Sequence, residues 1–390
     1  MSRALKFAGA AIACVLGAAY PAQSQDAKGE PFELVRALQS LQDQVVRGNT
    51  RAHATQRVLF ARIAEQFDAL PSDRWKDPKN ARAAVVFVLS GGNARALHKL
   101  MHSGASAELG EKLLKGALAY GEGRHEEAAD LLVGVEARML DPGMAGLVAY
   151  VQGELVAKKE PAKALAYFDD ARLLSPGTII EEAALRREVA LLAAAGTADR
   201  YELLATQYLR RFPNSVYAGG FRQQFALAIA GAANAAEPGR LAHLESMLGG
   251  VEQSDRRDVY LTIAKEAVAK GKVEMARFAA ARAVHLAEDA SAEQQRARLY
   301  EGAALIVTED FDRGVEILGA MERSKLAEPD AALLDGALAI AGQLRRMPDP
   351  PDSEPTMSPD RADAAAGQVL AHARKVVADV DEILSGANKR

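Results

Sequence analysis

The chain has 390 residues, of which 49% are hydrophobic, 26% are charged and only 5% are aromatic, and its formal net charge at pH 7 is −4. A mildly acidic chain without a block of basic residues argues against nucleic-acid binding and against attraction to anionic membrane surfaces. With so few aromatic residues, the core has to be built from Leu, Ala and Val. Because Ala and Leu favour helices, the composition predicts an all-α fold.

Residues 1–24 have the pattern of a secretory signal peptide. Two basic residues precede an apolar run at residues 7–19, and Ala22-Gln23-Ser24 supplies the small residues of a cleavage site, with cleavage after Ala22 as the alternative. The run is shorter than the roughly 20 apolar residues that a spanning helix needs. We therefore expect export and cleavage of this segment rather than a membrane anchor.

The only cysteine, Cys14, lies within the apolar run. A lipoprotein signal would place a Leu-type residue three positions earlier, where this chain has Ala11, and the apolar run continues past the cysteine. The sequence therefore predicts a mature chain that is neither lipidated nor inserted in a membrane. It would have no disulfide and no thiolate metal site. Removal of two basic residues leaves 46 against 52 acidic ones, a net charge of −6.

Several helices are predicted ahead of the periodic part of the chain. An amphipathic helix begins at Pro31 and ends at Gly48-Asn49, and its partner ends at Leu70-Pro71-Ser72. A short apolar helix follows over residues 79–89. The first clear hairpin joins Leu113–Tyr120 to a longer helix at Glu126–Met139.

Residues 25–346 as a whole are predicted to form a helical-repeat domain. Joints that contain proline recur at Asp141-Pro142-Gly143, Ser175-Pro176-Gly177 and Phe212-Pro213-Asn214, which are 34 and 37 residues apart by subtraction. A period near 34 residues with two helices per unit is tetratricopeptide-like, although the W-x2-L-G-x2-Y signature is absent. We therefore predict a divergent tetratricopeptide-like solenoid of helical hairpins.

The second of these joints has the clearest local signals. An apolar stripe is predicted to end at Leu173 and Leu174, and Pro176 cannot continue the helix because it lacks an N–H group. Thr178 then stands as the N-cap of the next helix, with Glu181 three residues later, which is the T-x-x-E pattern of a capping box. Glu182 adds favourable charge near the helix start and is predicted to pair with Arg186.

The repeats are expected to stop near residue 346. Residues 347–358 are rich in proline and are predicted to form an extended linker. A last amphipathic helix is predicted at residues 359–386, where it either caps the final repeat or docks a partner. Its apolar stripe consists of Val369, Leu370, Ala373, Val376, Val377, Val380, Ile383 and Leu384.

Two histidines and two glycines are candidates for a ligand site. His98 and His102 are four residues apart on one predicted helix, a spacing that can hold a metal ion. No Glu follows His98, as the H-E-x-x-H motif requires, and no third ligand is nearby, so a solvated helix face is the better interpretation. Gly91-Gly92 fits neither a phosphate loop nor a dinucleotide fingerprint and indicates a turn.

Two pairs of adjacent residues are candidates for catalysis. Glu181-Glu182 could imitate paired carboxylates, but capping of the helix start explains both. Glu245-Ser246 matches the Glu-Ser pair of soluble lytic transglycosylases, which are exported enzymes built on an α-superhelix, but the globular catalytic domain that should follow is missing. We therefore predict no catalytic, cofactor-binding or metal-binding residues and no enzymatic activity.

Four segments resemble the MotC family, the periplasmic motility and chemotaxis proteins of α-proteobacterial flagellar motors. They are PFELVRALQSLQDQVVRGN (31–49), SGGN (90–93), ARLLSPGTIIEEAALRR (171–187) and YLRRFPNSVYA (208–218). The resemblance implies a periplasmic, non-enzymatic protein that flagellar rotation requires. It also implies binding to the periplasmic part of the stator protein MotB.

A second hypothesis stays open beside the first. An exported helical-repeat chain can also be a periplasmic scaffold for envelope or peptidoglycan assembly. Loss of motility alone in a deletion strain favours the motor hypothesis, whereas altered cell shape or detergent sensitivity favours the scaffold. The sequence assigns no surface to the partner.

Overall fold

The structure, a computed structural model, describes residues 30–104, 107–196, 198–232 and 236–346. Within these ranges it has seventeen α-helices and no β-strand, which confirms the predicted all-α class. The predicted signal peptide, the proline-rich linker and the C-terminal helix lie outside the described residues.

Four short 3₁₀ helices, at Ser72–Lys76, Ala107–Leu109, Ala137–Met139 and Arg323–Lys325, accompany the α-helices. The α-helices are α1 Pro31–Val46, α2 Thr50–Ala69, α3 Pro78–Leu89, α4 Arg95–His102, α5 Glu111–Gly121, α6 His125–Leu132, α7 Pro142–Val156, α8 Pro161–Leu174, α9 Ile179–Ala195, α10 Ala198–Arg211, α11 Ala218–Gly231, α12 Pro238–Leu248, α13 Gln253–Ala269, α14 Val273–Leu286, α15 Ala292–Leu305, α16 Phe311–Gly319 and α17 Glu328–Leu344. In the part of the chain that the structure describes, no helix has both the length and the apolar character needed to cross a bilayer.

The chain divides into two compact units, one up to Tyr300 and one from Glu301 onward. In the first unit, helices that are neighbours in sequence pack as hairpins: α1 with α2, α5 with α6, α7 with α8, α9 with α10, and α13 with α14. The pairing changes near the middle, where α11 packs on α13 and α12 packs on α10. This hairpin organisation agrees with the predicted helical-repeat solenoid, and its finer tetratricopeptide-like character stays a prediction.

The three predicted joints each lead into a new helix. The first joint contains the start of α7, and the second and third precede α9 and α11. By subtraction, the starts of α6, α8, α10, α12, α14 and α16 are 35 to 40 residues apart. The repeat is therefore real but longer and less regular than the 34 residues of the first interval.

Close helix contact within two hairpins depends on glycine. A Cβ atom at Gly116 of α5 would lie 2.6 Å from Leu132 of α6, and one at Gly153 of α7 would lie 2.6 Å from the ring of Phe168 of α8. Both distances are shorter than van der Waals contact, so a larger residue would push the helices apart. The absence of a side chain at these positions lets the large residue of the second helix pack onto the backbone of the first.

The predicted apolar stripe of α8 is wrong for Leu173, whereas Leu174 is half-buried against the core. Leu173 is 72% exposed, whereas the buried face of the helix consists of Ala164, Phe168 and Ala171. These three residues are spaced by four and three positions, which keeps them on one face of a helix. Leu173 lies off that face, so its apolar character does not indicate burial.

The second helix of the first hairpin is also shorter than predicted. The predicted helix spans Glu126–Met139, but α6 ends at Leu132 and only a 3₁₀ turn follows. The buried side chain of Gln152 donates hydrogen bonds to the carbonyls of Leu132 (2.6 Å) and Val135 (2.8 Å). A side chain from α7 thus satisfies the carbonyls that another helical turn would have used.

The second unit, as far as it is described, contains the end of α15 together with α16 and α17. Gly302 faces Leu318 in the same way as the glycines of the first unit, with a Cβ position 2.9 Å from the leucine. The Arg345 guanidinium lies over the Phe311 ring, 5.8 Å from its centroid. These contacts join α15 to α16 and α16 to α17 within this unit.

Candidate interaction surface

Side chains from two parts of the chain meet at the start of α9. Thr178 Oγ1 accepts from the N–H of Ile180 (3.2 Å), and Glu181 Oε2 accepts from the N–H of Gly177 (2.6 Å). The predicted capping box would have used the N–H groups of Glu181 and Thr178 instead, so each bond is shifted by one residue. Arg211 of α10 also donates to Glu181 Oε2 (2.7 Å). The cap therefore ties α10 to the start of α9.

Glu182 has a different role from the predicted one, because its side chain is fully buried. Its Oε1 accepts hydrogen bonds from the hydroxyls of Tyr208 (2.5 Å) and Ser215 (3.0 Å). The predicted pair with Arg186 is present at 3.3 Å. Burial, followed by the charge of Glu182, raises the pKa of the Tyr208 hydroxyl. Capping alone does not explain Glu182, which holds α9, α10 and the joint after α10 together.

A second buried carboxyl, Glu188, lies two turns further along α9. Its oxygens lie 2.5 Å from Arg172 of α8, without the alignment of a hydrogen bond, and 3.3 Å from Arg200 of α10. Burial outweighs both arginines and raises the pKa of Glu188 to about 8. Burial also acts to raise the pKa of the adjacent Asp169, but hydrogen bonds to Arg172 and Glu188 and the charge of Arg200 bring it below its ordinary value. Of the two carboxyls, Glu188 is therefore the one whose surroundings favour the protonated form.

The first helix lies across the starts of three later helices. Gln39 donates to the carbonyl of Gly143 (3.0 Å), Asp43 accepts from the N–H of Ile179 (3.1 Å), and the carbonyl of Val45 accepts from the N–H of Val216 (3.3 Å). Burial raises the pKa of Asp43, and its bond to the start of α9 acts against that rise. The chain's own α1 thus contacts all three joints, which leaves less of this face for a partner.

At the other end of α9 a cavity of about 570 Å³ opens between α9, α10, α11 and α12. The volume is in the range of roughly 300 to 1,000 Å³ found for ligand pockets. On its polar side, Arg240 and Glu202 form an ion pair of 3.0 Å. The buried hydroxyl of Tyr201 has no hydrogen-bond partner among the described residues. The apolar part of the lining includes Leu192, Ala198, Tyr201, Ala228, Ile229 and Ala232.

Sequence reasoning missed this cavity because its walls come from four helices spread over residues 192–240. No single segment carries a motif for it. A cluster of alanines at the ends of consecutive helices is a weak signal, since small residues there leave space that a larger side chain would fill.

The two histidines considered as metal ligands have other partners. His98 Nε2 lies 2.7 Å from Glu122 Oε1, and the Nδ1–H of His102 donates to the carbonyl of His98 at 2.7 Å. Within residues 30–104, 107–196, 198–232 and 236–346, no group of three or more His, Cys, Asp or Glu side chains is arranged to hold a metal ion. Gly91 closes α3 with a φ of +100°, as the predicted turn requires.

The candidate catalytic pairs are not brought together. Glu245 is partly exposed and pairs with Arg282 of α14, and Ser246 beside it is exposed. Glu181 and Glu182 both lie at the start of α9, but they bond to different partners, Arg211 and Tyr208. The described carboxylates thus act in ion pairs and in contacts between helices.

Comparison with known proteins identifies the family. A family described as Chemotaxis protein MotC matches residues 1–389. A relative from Rhizobium meliloti (strain 1021), named Chemotaxis protein MotC, is 34% identical over 320 residues, which cover 82% of this chain and 73% of the relative. The family is one of motility accessory proteins and is not a known enzyme family. The role of the chain is accordingly related to motility or chemotaxis, and the chain belongs to the MotC family.

Proposed function

We propose that this protein is a periplasmic, non-enzymatic accessory protein of the flagellar motor. In this proposal it binds the periplasmic part of the stator protein MotB and supports torque generation. The observation that carries the proposal is the family match, which extends over residues 1–389 and so includes every helical hairpin described above.

Two features of the chain support a role in binding. The candidate catalytic residues Glu181, Glu182 and Glu245 all have structural partners. Stacked helical hairpins build extended surfaces from many short elements, and proteins of this architecture use such surfaces to bind other proteins. The export pattern at residues 1–24 supports a periplasmic location, where the stator's outer region is accessible.

A deletion strain tests the proposed function against the envelope-scaffold alternative. We expect cells with flagella of normal number and length that rotate poorly or not at all, and restoration of rotation by the intact gene. Cells without filaments would contradict the proposal. Normal swimming combined with altered shape or detergent sensitivity would instead favour the scaffold.

Location is tested separately, by fractionation and N-terminal sequencing of the protein from the same cells. We expect a periplasmic chain that begins at residue 25, or at Gln23 if the alternative site is cleaved. An intact Met1 in the membrane fraction would refute export and cleavage.

A further inference from the structure

We propose that the cavity between α9, α10, α11 and α12, hereafter the α9–α12 cavity, receives a large apolar side chain from an acidic segment of the protein partner. The inference rests on the proposed binding function and adds to it a location and a chemistry for the contact.

The position of the cavity keeps it clear of α1. The cavity is lined by Leu192 near the end of α9 and by Ala228 and Ile229 near the end of α11. The first helix contacts α9 at its other end, through Ile179. Thirteen residues of helix separate Ile179 from Leu192, a distance of about 20 Å at 1.5 Å per residue.

The walls suit an apolar occupant. Ala198, Ala228 and Ala232 leave space where larger residues would fill it, and Leu192 and Ile229 present aliphatic surface to that space. An apolar side chain that enters the cavity removes this surface and its own from water, which favours binding. A cavity of about 570 Å³ has room for a large side chain such as that of leucine, phenylalanine or tryptophan.

The polar edge of the cavity has an ion pair in its lining and a basic side chain beside it. Among the described lining residues Glu202 alone is acidic, and both of its oxygens are occupied, by Arg240 at 3.0 Å and by His243, outside the lining, at 3.2 Å. Arg240 is always charged, so the pair of Arg240 and Glu202 is neutral.

A further cation is Lys272, which directly precedes α14 and contacts the end of α11. Its ammonium group donates to the carbonyls of Gly231 (2.8 Å) and Ala232 (2.9 Å), both of which belong to lining residues. Among the described residues no carboxylate is within ion-pairing distance of Lys272, whose ammonium group is bonded to these two carbonyls. Lys272 therefore adds one positive charge beside the neutral ion pair of the lining, which complements a carboxylate next to the apolar side chain of the partner.

Two kinds of variant test the site in the full-length mature protein. Ala228→Phe fills the cavity, and Ala190→Phe introduces the same side chain at an exposed position of α9 outside it. Lys272→Gln removes the unpaired charge while keeping a donor for the two carbonyls. Thermal unfolding of each variant establishes that it is folded.

Two measurements are made on each variant. The first is binding of the anionic aromatic dye 1-anilinonaphthalene-8-sulfonate, whose ring and sulfonate match the apolar walls and the positive edge. The second is binding of the purified periplasmic region of the stator protein, alone and in competition with the dye. We expect Ala228→Phe to weaken both ligands by about tenfold or more, and Ala190→Phe to leave both unchanged. We expect Lys272→Gln to weaken both by about threefold.

The outcomes separate the two proposals. If the stator region binds Ala228→Phe as well as it binds the wild type, or binds without displacing the dye, the cavity is not the contact and only the further inference falls. If the stator region does not bind the wild type at all, the proposed function falls and the inference falls with it. If Ala228→Phe does not fold, Lys272→Gln and the competition experiment decide: unchanged affinity in the first, or no displacement in the second, overturns the inference.

Discussion

Replacement of Tyr208 by phenylalanine removes one hydroxyl from the buried cluster and leaves the aromatic packing in place. The ring stacks on Phe221 with 3.8 Å between centroids, and phenylalanine keeps that contact. What is lost is the 2.5 Å hydrogen bond to Glu182, between a buried hydroxyl and a buried carboxylate. A hydrogen bond to a charged group contributes about 1.5–3 kcal/mol. Because Ser215 still donates to Glu182, we expect the free energy of unfolding to fall by about 2 kcal/mol.

The assay is urea unfolding of the purified chain, followed by far-UV circular dichroism. Fluorescence is less suitable, because the only tryptophan, Trp75, packs on Phe67 and reports on the first helices. Since repeat proteins can unfold in parts, amide hydrogen exchange in α9 and α10 is measured beside it.

Tyr167→Phe is the matched control for this change. The Tyr167 hydroxyl donates to the neutral carbonyl of Val133 at 3.2 Å, in a partly buried position. Removal of this hydroxyl should therefore lower the free energy of unfolding by about 1 kcal/mol or less. If Tyr208→Phe destabilises the chain no more than Tyr167→Phe, and if exchange in α9 is unchanged, the role assigned to the Glu182 cluster is refuted.

Three further changes test other parts of the structure. Phe168→Ala should lower the free energy of unfolding by about 3–5 kcal/mol because it empties the space against Gly153. Leu173 is exposed on the same helix, so Leu173→Ala should change the free energy of unfolding by about 0.5 kcal/mol or less. Urea unfolding compares the two variants. Tyr201→Phe should leave the free energy of unfolding unchanged or raise it by about 1 kcal/mol, because it removes a buried hydroxyl that has no partner among the described residues. A clear loss of stability in thermal unfolding would contradict this. Glu188 has its pKa raised from 4.5 to about 8 in the folded chain. Between these two pH values the folded chain keeps the proton of Glu188 and the unfolded chain loses it. The free energy of unfolding should therefore fall as the pH rises through that window. The slope should reach at most about 1.4 kcal/mol per pH unit; Glu188→Gln should remove that contribution, and an identical pH profile in the variant would argue against it.

The fold class and the joints could be predicted from the sequence because their signals are local. Proline at a helix start and glycine near a helix end act through the backbone of adjacent residues, so a joint such as Ser175-Pro176-Gly177 is visible without tertiary information. One local signal was overlooked. Ala164, Phe168 and Pro176 match the A-x3-F…P half of the tetratricopeptide pattern, although the tryptophan half is absent.

The features that were missed depend on contacts between distant residues. Glu182 looks like a helix-start carboxylate in sequence, and only the approach of Tyr208 and Ser215 makes it a buried acceptor. The residues of the hydrogen bond between Ile179 and Asp43 are 136 positions apart in sequence, so no local pattern indicates that α1 lies across the joints. The cavity could not be predicted for the same reason, because the packing of several helices creates it and no single segment does.

The central claim is that this protein acts by binding the periplasmic region of the stator. The most direct measurement is titration calorimetry of the purified mature chain with the purified periplasmic region of MotB, at physiological salt and at several temperatures. The account predicts saturable binding of defined stoichiometry, with a negative heat-capacity change because apolar surface is buried on association. No heat of binding at any of these temperatures, together with failure of the two proteins to co-elute, would contradict it.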